Sequence, residues 1–129
     1  MKSREGVLRL KRFRVDEKRR QVAQIEAMIA EFEKMATELE TQIAAEEERS
    51  GIHDVGHFAY PTVAKAALQR RDNLRASANE LKGQLAGAQA ECTEAVEELA
   101  KYEALAERDQ AHERGGEPPE PRSAAAYAR

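Results

Sequence analysis

Residues 15–43, VDEKRRQVAQIEAMIAEFEKMATELETQI, repeat apolar side chains three and four positions apart. That period draws one stripe along an α-helix and is the seam of a two-helix coiled coil, whereas a strand would alternate every second residue. Extended to both sides, the heptad places Leu8, Val15, Val22, Ile29, Ala36 and Ile43 at a, and Lys11, Lys18, Ile25, Phe32, Leu39 and Glu46 at d. A second stripe of the same period has Ala78, Leu85, Cys92, Leu99 and Ala106 at a, with Leu74, Leu81, Ala88, Ala95 and Tyr102 at d. The alanines in the second stripe let two helix backbones approach closely.

Between the stripes lies SGIHDVGHFAYP, residues 50–61. Gly51 offers the left-handed position at which helices commonly end, Gly56 is a second point of backbone freedom, and Pro61 can open a helix but not continue one. The spacing therefore predicts a helix over about residues 3–49, a bend at 50–61 and a helix over about 62–114. The remaining residues, 115–129, are rich in Pro and Gly and lack periodicity, which reads as a disordered tail. A short bend makes folding back the least demanding way to bury both stripes. The expected fold is all-α, a long antiparallel two-helix coiled-coil hairpin over residues 1–114.

Charge gives an independent test of direction. Residues 1–20 carry nine Lys or Arg against three acids, whereas residues 83–114 carry eight acids against three bases. Residues 21–50 are again acidic and 65–82 basic, so an antiparallel hairpin sets opposite signs side by side. Docking about the bend puts residue i beside roughly residue 111 − i, so Glu38 and Glu40 fall near Arg70, Arg71 and Arg75.

Charged residues make up 35% of the chain and aromatic ones 5%, too little apolar bulk for a thick core and enough for one seam. No apolar run approaches the roughly 20 residues that span a bilayer, and MKSREGVLRLKR has no secretory apolar region, so a soluble, cytoplasmic chain is expected. Cys92, the single cysteine, falls on the seam and reads as a small buried hydrophobe. His53, Asp54 and His57 crowd the bend, but a stable metal site wants three or four converging ligands on a defined scaffold, so no metal and no cofactor are expected. Phosphate-binding loops, dinucleotide glycine patterns and nucleophile elbows are missing from the sequence, and no catalytic residue or enzyme activity is assigned.

A basic segment leading into heptads is also how a zipper-type DNA-binding helix begins. Here Leu8, Leu10, Phe13 and Val15 interrupt the basic residues, and the second long stripe competes for the seam, so no nucleic-acid partner is expected. Val7, Leu10 and Phe13 occupy g, c and f, leaving Leu10 and Phe13 facing outward amid Lys11, Arg12 and Arg14. Lys11 and Lys18 at d must send their ammonium groups out of the seam, so this end is expected to be sealed less well than the middle. Phe58, Tyr60 and Val63 form a second apolar group at the bend, which either caps the seam or meets a partner.

The opening LRLKRFRVDEKRRQVAQIE, the bend with HFAYPT and the close EELAKYEALAERD resemble the FliJ family of flagellar type III export proteins, in its alphaproteobacterial form, over about residues 1–114. The resemblance implies a stalk-like coiled coil whose paired chain ends enter the hexameric export ATPase FliI. It further implies that the bend region meets the export gate FlhA, that export chaperones are additional partners, and that the chain sits at the inner membrane only peripherally. Carried onto this sequence, Leu10, Lys11, Arg12, Phe13 and Arg14 would face the ATPase, and Phe58, Tyr60, Val63 and Ala67 the gate. The alternative within the same setting is an export chaperone or adaptor whose arms grip substrates or empty chaperones.

Overall fold

The computed structural model describes residues 2–115, so the expected disordered tail lies outside the described residues apart from Gly115. Two helices make up the fold: α1, Lys2–Ser50, and α2, Thr62–Gly115. No strand occurs among the described residues, and the chain is an all-α antiparallel two-helix hairpin. Every a and d position read from the sequence stripes is buried or half-buried, while most other helical positions are exposed. Among the described residues no helix is long and apolar enough to cross a membrane.

Local chemistry accounts for the reversal. Gly51 ends α1 with φ of 76°, and its N–H donates to the Glu47 carbonyl at 2.8 Å, closing the last turn as a left-handed C-cap does. The bend then tightens through two turns, in which His57 N–H donates to the Asp54 carbonyl and Tyr60 N–H to the His57 carbonyl, each at 3.0 Å. Gly56 has no positive φ, and its N–H donates to the Asp54 side chain at 3.0 Å, so Gly51 alone supplies the left-handed residue of the reversal. The Pro61 carbonyl accepts the first helical bond of α2 from Lys65 N–H at 3.0 Å, leaving Thr62 as the first helical residue.

The chain divides into two compact units. The bend unit, Arg19–Ala90, buries Ile29, Ala36, Ile43, Ala64, Ala67, Ala78 and Leu81 in its seam. Ion pairs run along that seam: Lys82 meets Glu33 at 2.9 Å, and Glu40 meets both Arg71, at 3.7 Å, and Arg75. Glu40 opposite Arg71 is the register expected from docking about the bend. The end unit comprises residues 2–18 and 91–115 of the described chain and buries Val15, Ala95 and Ala106. Cys92 is a free, half-buried thiol at its a position.

Candidate interaction site

Helical phase puts Leu10 and Phe13 on the outward side of α1 in the end unit, where they are 70% and 58% exposed. Val7, at the edge of the same stripe, is 40% exposed. Arg9 and Arg14 are exposed around them, so the surface is apolar with a cationic fringe.

The other two candidates on this segment are committed elsewhere. Lys11 lays its stem in the seam, donates to the Glu98 carboxylate and holds its ammonium 4.7 Å above the Tyr102 ring centroid. Arg12 reaches Glu103 at 3.7 Å. Lys18 repeats the Lys11 arrangement with Glu91 at 2.8 Å, and Arg4, one heptad before Lys11, pairs with Glu113 at 3.3 Å. These contacts show how the cations leave the seam: only as far as the α2 carboxylates along its edge. The Lys18 hydrogen bond holds the Glu91 carboxyl below its usual range, and the Lys11 bond does the same for Glu98. Arg4 was legible by stepping the heptad back once more, which places it at d.

At the bend the four gate candidates separate into two pairs. Phe58 is 96% exposed and stacks on His57, ring centroids 4.7 Å apart, and Val63 is 52% exposed. Tyr60 and Ala67 are buried, so neither reaches a partner unless the seam opens. Ala67 lies one heptad before Leu74, at d, and the period alone assigns it to the seam.

Tyr60 caps the seam instead. Its hydroxyl donates to Glu47 Oε2 at 2.6 Å, and His53 Nδ1 lies 3.2 Å from the other Glu47 oxygen. The Tyr60 bond, then the His53 contact, lowers the Glu47 carboxyl below its ordinary value. The same bond to Glu47, aided by burial, pushes the Tyr60 hydroxyl up to about 12. A hydroxyl whose pKa rises on folding stabilises the fold fully below its ordinary pKa of 10.0 and loses that contribution as pH climbs toward about 12. The depressed Glu47 carboxyl contributes above its ordinary value of 4.5 and loses this as pH falls through the folded value. Tyr60→Phe is therefore expected to melt a few degrees below the parent at neutral pH (about 2–5 °C). The gap should close between about pH 10 and 12, as followed by helical circular dichroism.

His57 Nδ1 accepts from the Ala59 N–H at 2.9 Å, which engages it apart from His53. Among the described residues no group of three or more His, Cys, Asp or Glu side chains could hold a metal ion. The recess beside Ala36 and Ala78, lined also by Glu33, Thr37, Arg75 and Lys82, is an open groove along the seam, without converging catalytic groups. No protein-family model, curated protein or solved structure matches this chain.

Proposed function

We propose that this chain is a non-enzymatic coiled-coil stalk of a flagellar type III protein-export apparatus, engaging the export ATPase through its end unit. The observation that carries the reading is the exposed Leu10 and Phe13 pair with its Arg fringe, on the unit that holds the beginning of α1 and the end of α2. A two-helix hairpin has no internal use for two large apolar side chains on its outer face, and an apolar centre with a charged rim is the anatomy of a protein interface. The resemblance to FliJ in the same segment supports FliI as the partner. Contact with the export gate FlhA then falls to Phe58 and Val63, the exposed members of the bend group. In this reading the chain works in the cytoplasm and joins the inner-membrane apparatus peripherally, through the gate.

The test is turnover of the purified FliI ATPase from the same cell, with and without the chain. Added chain should raise turnover or promote ring assembly, and Leu10→Asp combined with Phe13→Asp should abolish the gain. Both side chains are exposed, so this variant should keep its stability within about 0.5 kcal/mol, which separates lost docking from lost folding. Absence of stimulation by the parent chain, or full stimulation by the variant, would remove the stalk reading. Capture of export chaperones with no effect on turnover would favour the adaptor instead.

A further inference from the structure

In a two-helix seam the a and d rows are both apolar as a rule. The bend unit follows this over three heptads, with Ile25, Phe32 and Leu39 at successive d positions of α1 and a charged residue, Glu46, only at the last d position before the bend. Of the residues in its cross-helix ion pairs, Glu33, Glu40, Arg75 and Lys82 lie beside the seam, and Arg71, one heptad before Ala78, is a single a-row cation between buried Ala64 and Ala78. The end unit is built differently. Its three successive d residues on α1 are Arg4, Lys11 and Lys18, with side chains only 18%, 23% and 16% exposed, each closing on one α2 carboxylate: Glu113, Glu98 and Glu91. Half of the α1 stripe here is thus cationic, and the helices are joined by charge where apolar contact would ordinarily join them.

We propose that the end unit is a salt-labile clasp: the Arg4, Lys11 and Lys18 row lets the two helix ends part under conditions in which the bend unit stays closed. The carboxylates are reachable by ions, since Glu91, Glu98 and Glu113 are 57%, 52% and 51% exposed. The screening length falls from about 10 Å at 0.1 M salt to about 3 Å at 1 M, close to the span of the pairs themselves. Leu8 and Val15 on α1, with Ala95, Leu99 and Ala106 on α2, remain as the apolar part of the clasp. Lys11 also keeps its contact with the Tyr102 ring, so the Lys18 and Arg4 closures are the first to yield. The inference is independent of the partner assigned above.

The experiment is amide hydrogen exchange of the full chain at roughly 0.1 M and about 1 M sodium chloride, normalised to unstructured peptides. High salt should speed exchange over residues 5–18 and 93–111 by about tenfold, and over 25–43 and 67–85 by less than about twofold. The Lys11→Leu, Lys18→Leu double variant completes the apolar d row and should exchange slowly in the end unit at both salt concentrations. A charge exchange, Lys18→Glu with Glu91→Lys, keeps the pair in reverse and should retain the parent's salt response. Equal acceleration in both units, or an unchanged salt response in the leucine variant, would overturn the clasp. Loss of the response in the charge-exchanged variant would do the same.

Discussion

Ile43→Ala lowers the stability of the chain by about 2–3 kcal/mol, the loss expected when a buried branched side chain is cut back to Cβ. Ile43 is 6% exposed at an a position of the bend unit, one helical turn before Glu47, where the seam is closed by Tyr60. A two-helix seam has no second layer that could slide into the vacated volume, so the lost contacts are not replaced. Urea unfolding followed by helical circular dichroism measures the effect as a lower midpoint at unchanged slope. A change below about 0.5 kcal/mol would mean that the seam does not hold the hairpin closed.

Gly83→Ala together with Gly87→Ala works in the opposite direction, raising stability by about 1.5–2 kcal/mol. Both glycines lie inside α2 with ordinary helical backbone, and an added Cβ meets nothing within 4 Å at either position. Alanine there restricts the unfolded chain and adds helix propensity with no steric conflict. The same urea experiment should show a higher midpoint. Failure to stabilise would show that helix propensity at these two positions has no weight in the stability of the chain.

The heptad period carried most of the fold, because in a two-helix hairpin the pattern that forms each helix is also the pattern that packs it. Ile29, Ala36, Ala78 and Leu81 were assigned to the seam by spacing alone and are buried. The charge blocks favoured the antiparallel direction and the position of the bend gave the register, as Glu40 against Arg71 shows. The bend was less legible. Tyr60 was left open between capping the seam and meeting a partner, since Glu47 lies 13 residues away and only the reversal at Gly51 brings the two together. Lys11 and Lys18 were read as cations escaping a seam, and the α2 carboxylates that receive them become visible only when the register is known to within a turn. Leu10 and Phe13 needed no such information, because a residue at c or f of a two-helix seam has nowhere inward to go.

Confining burial to one stripe per helix also shapes how the chain responds to temperature. Unfolding a body of this kind wets less apolar surface per residue than unfolding a globular domain of equal length, so its heat-capacity increment is smaller. The stability curve is correspondingly shallow: warmth erodes such a hairpin gradually, and the cold limb lies far below freezing. A hairpin built this way keeps nearly constant stability over a wide span of working temperatures.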